Sequence, residues 1–293
     1  VATTFQSEYG KLKTLYLKRA KDAFVNDAQI DAQWKDLNFL SKPDLAKAIE
    51  EYEAFEQIVR KSGTEILYLP ERGAVTMDSI YCRDAAIATD HGMIICNMGK
   101  PARKDEPLMY REAFKQNHIR ILGQINAPGT VEGGDVAWVD EETLAVGYTY
   151  RSNEEGIRQL RGLLKPLGVK LWVASMPHYK GPTDVFHLMS VFSPVDKNLA
   201  VVYSPLMPID FRMGLIKRGY KLLEVPDAEF DSMGCNVLAI APRECVMVAG
   251  NPITKQRLLD AGCVVHEYDG QEISVKGGGG PTCLTRPMER WSD

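Results

Sequence analysis

VAWVDEETLAVGYT, residues 136–149, reads as two short runs of β-forming residues on either side of the polar turn DEET, and so predicts a β-hairpin. SNEEGIRQLRGLLKPLG (152–168) follows as a helical stretch, and VKLWVAS (169–175) as a further strand. This order of hairpin, helix and strand decides the fold because it recurs. AAIATDHGMIIC (85–96) leads into EPLMYREAFKQN (106–117) and HIRILG (118–123). HLMSVFSPVDKNLAVVYS (187–204) leads into PLMPIDFRMGLIKRG (205–219) and YKLLEVP (220–226), and NVLAIAPRECVMVAG (236–250) into TKQRLLDAG (254–262) and CVVHEYD (263–269). A period of roughly fifty residues is one at which cyclic or stacked repeats are expected.

The two ends of the chain supply a fifth copy. YGKLKTLYLKR (9–19) reads as a strand, DLAKAIEEYEAFEQIVRKSG (44–63) as an amphipathic helix and TEILYLP (64–70) as the strand after it. The missing first strand is expected from the segment after Cys283, with the C-terminus returning beside the N-terminus. Five α/β units would then close a ring occupying residues 1–293 as a single domain. The glycines of KGGGGPTC (276–283) would form a tight approach to the axis of that ring, since glycine runs persist where backbone passes close to other groups.

Composition narrows the partners. The 293 residues are 45% hydrophobic and 25% charged, with a mean hydropathy of −0.21, as in a globular chain with a substantial core. A formal charge of −4 without a long Lys/Arg block argues against nucleic acid and anionic membrane, and leaves a small molecule as the expected partner. No apolar run is long enough to span a bilayer and the N-terminal residues lack a signal-peptide pattern, so a cytoplasmic protein is expected. The cysteines at 82, 96, 235, 245, 263 and 283 show neither C-x-x-C nor Cys/His spacing, so no metal is expected.

The chemistry lies at the hairpin entrances. These carry Asp84 (YCRDAA), Glu132 (VEGGDVAW), His187 (DVFHLMSV), Cys235 (MGCNVLAI) and Cys283 (GPTCLTRP). Each residue alone has a plainer reading: His187 between Phe186 and Leu188 as a core histidine, Glu132 to Asp135 as a tight turn, Asp84 as a partner of Arg83. Equivalent positions in a ring converge near its axis, however. Two carboxylates, an imidazole and a thiol in one cavity make the set needed for covalent catalysis at an electrophilic carbon.

With these motifs in this order, DSIYCRD (78–84), EGGDV with GYTYRSN, FHLMS and GGGGPTCLT, the whole chain resembles the guanidine-modifying penteins. These include dimethylarginine dimethylaminohydrolase, arginine deiminase and the amidinotransferases, and the resemblance implies an α/β fold, the five-bladed α/β-propeller (pentein) of ββαβ-type units, in keeping with the five units counted above. It further implies that Cys283 attacks a guanidinium carbon to give a thiouronium intermediate. His187 would protonate the leaving nitrogen and then activate water. Asp84 and Glu132 would grip the guanidinium, whose planar donor fork a carboxylate matches. Arg103 (PARKDE) and Arg151 (GYTYRSN) stand where the family places arginines that bind an α-carboxylate, and Asp78 and Asp135 fall among the substrate-binding groups. A homodimer is compatible with the family, and the resemblance implies no organic cofactor.

The resemblance implies a hydrolase of arginine or N-methylated arginine, nearest to dimethylarginine dimethylaminohydrolase. Met189 in FHLMS replaces the acid of the H-L-D pattern of arginine deiminases, which leaves a less polar wall suited to methyl groups. Arg83 points the other way, because CRD is more deiminase-like. Arginine deiminase, an amidinotransferase and a catalytically silent binding protein are the alternatives.

Overall fold

The computed structural model describes residues 2–71 and 73–292. Val136–Asp140 and Thr143–Tyr148 form the hairpin on which the repeat was built, with Val136 opposite Val146, and Lys170–Ser175 adds in parallel to its second strand. The turn is held by the Glu142 N–H, which donates to Asp140 Oδ1 at 2.9 Å. Between second and third strands runs the helix Glu154–Leu164, capped by Asn153, whose side chain accepts from the Gly156 N–H. Ile157, Leu160 and Leu164 recur on one face of that helix and are buried.

The same topology builds four other sheets. Ala86–Ile87, Met93–Ile95 and Ile121–Gln124 form one; Phe192–Asp196, Leu199–Val202 and Lys221–Glu224 the next; Leu238–Ala241, Glu244–Val248 and Val264–Tyr268 the third. In each an antiparallel pair is followed by a parallel strand. The fifth sheet joins the chain ends as expected: Thr285–Pro287 runs antiparallel to Thr14–Leu17, and Glu65–Tyr68 pairs in parallel on the other side. Its helix, Leu45–Lys61, buries Ala48, Tyr52, Phe55 and Val59 at helical spacing. Burying each such large side chain contributes about 1.5–3 kcal/mol. The fold is therefore the α/β-propeller of five ββαβ units.

Burial grades across every sheet. First and second strands are almost wholly buried, whereas third strands begin with exposed residues such as Glu65, Ile121, Lys170, Lys221 and Val264. The first strands thus lie innermost, and the segments entering them meet one another. The sequence did not reveal a small additional sheet, in which Arg290–Trp291 lies between Thr3–Thr4 and Lys11–Leu12. From this terminal segment Arg290 Nη1 donates to the Gly10 and Ala239 carbonyls at 2.6 and 2.8 Å, and Arg286 Nη1 to the Ala86 carbonyl at 3.0 Å. The last strands are thereby tied to the inner strands of two other units. No helix among the described residues is long and apolar enough to cross a membrane.

Candidate active site

Short turns lead into the inner strands, and the turns at Cys82–Ala85, Gly133–Asp135 and Leu188–Ser190 bring Asp84, Glu132 and His187 together. His187 Nε2 lies 2.7 Å from Glu132 Oε2, and Nδ1 lies 4.0 Å from Asp84 Oδ1. The Gly134 N–H donates to Asp84 Oδ1 at 2.8 Å. A side chain on Gly134 would collide with the His187 ring, so the second glycine of EGGD is what lets the imidazole approach.

The glycines before Cys283 serve the same purpose. A Cβ on Gly277 would meet the Tyr81 hydroxyl, and one on Gly279 would lie 2.5 Å from the Tyr81 ring. Backbone here packs directly on an aromatic face, and Tyr81 is fixed by donating from its hydroxyl to the Ile273 carbonyl at 2.9 Å. The run ends on Cys283, whose carbonyl accepts from the Arg83 N–H at 3.2 Å and whose Sγ accepts from Asn236 Nδ2 at 3.4 Å. Cys283 alone among the six cysteines is only half-buried. It shares a cavity of about 290 Å³ with His187, Asp84, Asp78, Met189, Arg103 and Arg151.

The charges of the site are arranged by burial and by pairing. Burial opposes a charged His187, but Asp84, Asp135 and Glu132 outweigh it and push its pKa up to about 9. Burial likewise opposes the Glu132 carboxylate, which Arg151, His187 and Arg103 nevertheless hold well below the usual range. The Cys283 thiol is pushed up by burial and then by Asp84, against the opposing effects of Asn236, Thr282 and Arg83. At neutral pH the resting site therefore holds a protonated imidazole and a thiol. A cation bound beside Cys283 would favour its thiolate.

Asp84, Glu132 and His187 also offer donor atoms that all lie within 4.8 Å of one another. Arg103 Nη1 contacts Asp84 Oδ2 at 2.6 Å and Arg151 Nη1 contacts Glu132 Oε2 at 3.1 Å, so both carboxylates already face a guanidinium. With His187 protonated as well, these carboxylates are matched by cations of the protein itself, which leaves little charge for a metal ion.

Hydrogen bonds fix the partners of the remaining expected site residues. Glu132 is fully buried and does not line the cavity; it accepts from the Gly99 and Lys100 N–H groups at 3.0 Å and holds His187, so it positions the imidazole. Asp135 does not reach a substrate either. One of its oxygens accepts from Thr149 and Ser152 hydroxyls at 2.7 Å, the other from the Leu188 N–H at 3.0 Å, which clamps the His187 turn onto the EGGD turn. Burial pushes its pKa up to about 6.

Arg103 gives four of its five N–H groups to protein partners: Nε and Nη2 donate to Glu106, Nη2 also to the Tyr81 carbonyl, and Nη1 to Asp84. It thereby orients Asp84 and keeps one Nη1 donor in the cavity it lines. Arg151 keeps spare donors, its two contacts being Glu132 and the Asp184 carbonyl at 3.3 Å. Arg83 turns away from the cavity, with Nη2 on both Glu8 oxygens at 2.9 and 2.8 Å, so it says nothing about substrate choice. Cys235 is buried with its thiol toward the Val201 carbonyl at 3.8 Å; its neighbour Asn236 is the side chain of that turn that reaches Cys283. Neither Asn236 nor Lys100, whose Nζ contacts Asp78 at 2.6 Å, was singled out from the sequence, although both stand beside residues that were.

The sequence profile of the family described as "N,N dimethylarginine dimethylhydrolase, eukaryotic" matches residues 20–290. The chain belongs to this family. It is 28% identical over 246 residues to the N(G),N(G)-dimethylarginine dimethylaminohydrolase of Pseudomonas aeruginosa, covering 84% of this chain and 90% of that one. It is also 27% identical to the uncharacterized protein YkgA of Bacillus subtilis, over 98% and 96% of the two chains. The Pseudomonas enzyme, solved as a Cys-to-Ser variant complexed with citrulline, superposes with a TM-score of 0.77 at 24% identity, over 94% of this chain and 99% of that one. An amidinotransferase of saxitoxin biosynthesis from Microseira wollei gives 0.79 at 13% identity, over 99% and 98%. Family and fold together place the chain among the guanidine-modifying penteins.

Because His187 titrates near 6.5 when unfolded and near 9 when folded, its pairing stabilises the fold fully below pH 6.5 and progressively less as the pH rises through 9. The loss is on the order of 3 kcal/mol. Urea unfolding followed between pH 6 and 10 should show this decline, and His187→Gln should flatten it. An equal slope in both proteins would place the titration elsewhere.

Proposed function

We propose that this protein hydrolyses a C–N bond of a linear guanidino compound through a covalent intermediate on Cys283. The observation that carries the reading is one cavity lined by a half-buried thiol, a protonated imidazole and the Asp84 carboxylate. Kinship to enzymes named for dimethylarginine and for arginine supports it.

The guanidinium binds by donating to Asp84, which the Arg103 fork and the Gly134 N–H hold in place. Its positive charge offsets what keeps Cys283 protonated, and the thiol releases its proton to solvent. The thiolate then adds to the central carbon, and His187 gives its proton to the departing nitrogen as the C–N bond breaks. Amine or ammonia leaves, and a thiouronium cation remains on Sγ. The imidazole, now neutral, takes a proton from water; the hydroxide adds to the same carbon, and the C–S bond breaks as the adduct's hydroxyl proton passes to Sγ, giving a ureido product, the Cys283 thiol and a protonated His187. A screen of guanidines with a colour test for ureido groups, and with the released amine identified by mass, tests the reading. Binding without turnover of any guanidine would overturn it.

Met189, 2% exposed, gives the cavity a wall with no acceptor at a place where a carboxylate could hold a free guanidine nitrogen. Between two substrates with the same tail, the N-methylated guanidine is therefore expected to have the higher kcat/KM. Met189→Asp should move the ratio toward the unmethylated one by roughly tenfold or more. The ratio is the quantity to measure, since a new carboxylate would also raise the pKa of His187 further. An unchanged ratio would show that Met189 does not touch the substituent.

A further inference from the structure

An α-amino acid presents two groups besides its guanidine: a carboxylate that needs donors and an ammonium that needs an acceptor. Within the cavity one carboxylate and one backbone carbonyl already hold an ammonium, and it belongs to the protein. Lys100 Nζ donates to Asp78 Oδ2 at 2.6 Å and to the Leu37 carbonyl at 2.9 Å, all three residues lining the cavity, so an incoming ammonium would meet a like charge on this pair of acceptors. An ammonium has three donors, which leaves one on Lys100 for the cavity it lines.

The other acids of the wall offer no replacement. Asp184 faces the charges of Lys180 and Arg151, which an incoming ammonium would meet as well, and burial raises its pKa. Asp231 stands exposed at the rim beside Lys180 at 3.5 Å. Donors, by contrast, are present. Gly99 packs so closely on the backbone of Arg151 that no side chain fits between them, which sets Lys100 and Arg151 next to each other. Arg151 has several donors beyond its two protein contacts, whereas Arg103 gives four of its five to Glu106, Asp84 and Tyr81.

The geometry points to a substrate with a carboxylate tail and no α-ammonium, a linear guanidino acid whose carboxylate is received by Lys100 and Arg151. Lys100 is the residue that sets this choice. The inference rests on the guanidine chemistry proposed above but concerns only the opposite end of the ligand.

Three compounds of matched length separate the cases: arginine, 5-guanidinopentanoic acid, which lacks only the amino group, and agmatine, which lacks only the carboxylate. Calorimetric binding to the Cys283→Ser protein is expected to favour 5-guanidinopentanoic acid over arginine by about tenfold or more, with agmatine weakest. Wild-type kcat/KM should rank the compounds in the same order. Lys100→Met should free Asp78, weaken the deamino acid and strengthen agmatine, while Lys100→Arg should keep the wild-type order. Arginine binding as tightly as the deamino acid, or no binding by any of the three, would overturn the inference, and an unchanged order in Lys100→Met would remove Lys100 from it. Tight binding of the deamino acid without turnover would sink the hydrolytic reading and leave the tail preference standing; efficient turnover of arginine alone would do the reverse.

Discussion

Turnover is expected to disappear in Cys283→Ser, with fold and ligand binding retained. A serine hydroxyl at the end of the glycine run keeps the shape of the site but is a far weaker nucleophile than a thiolate at any pH the protein survives. Asn236 can donate to the hydroxyl as it does to Sγ, so no buried group is orphaned. The matching measurement is alkylation of the wild type. Cys283 should be labelled first because the other five cysteines are buried; this includes Cys263, whose pKa is lowered by Cys245 but which lacks access. Since the Cys283 pKa is raised, labelling should speed up as the pH passes the ordinary thiol range. Undiminished turnover by the serine variant would end the covalent mechanism.

His187→Gln should lower kcat by about 10²–10⁴, the usual contribution of one positioned acid–base group. The amide retains a hydrogen bond to Glu132 but cannot deliver a proton to the departing nitrogen. The informative substrate is an S-alkyl isothiourea, whose thiolate leaves without needing a proton. With it the first half of the reaction should survive in the variant and the second half stall, because nothing takes the proton from water. Mass spectrometry should then find the thiouronium adduct accumulating on Cys283. Free turnover of this substrate by His187→Gln would assign water activation to another group.

Much of this was legible in the sequence, for a physical reason. Hairpins announce themselves through alternation and polar turns such as 140–143, and a repeated unit places its equivalent positions on a common axis whatever the details of packing. That logic brought Asp84, His187 and Cys283 to one cavity. It could not say where a long or forked side chain turns once it arrives. Arg103, Arg151 and Arg83 all lie in the right motifs, yet one holds Asp84, one holds Glu132 with donors to spare, and one faces Glu8 on the far side of its own turn. A slip of one residue within a turn separates Cys235, whose thiol faces the Val201 carbonyl, from Asn236, which reaches Cys283. Lys100 was invisible because its meaning depends on Asp78 and the Leu37 carbonyl, groups 22 and 63 positions away.

The sheet that joins the two chain ends has a consequence for how the protein comes into being. Thr285–Pro287 pairs with Thr14–Leu17, and Arg286 and Arg290 bond to carbonyls near Ala86 and Ala239, so the ring cannot shut until its last strand has left the ribosome. Vectorial synthesis therefore exposes the inner strands of four finished units before their closing partner exists, and delivers Cys283 as part of that partner. Until then Asp84, Glu132 and His187 have no Cys283 beside them. The cavity is completed by the same segment that closes the ring.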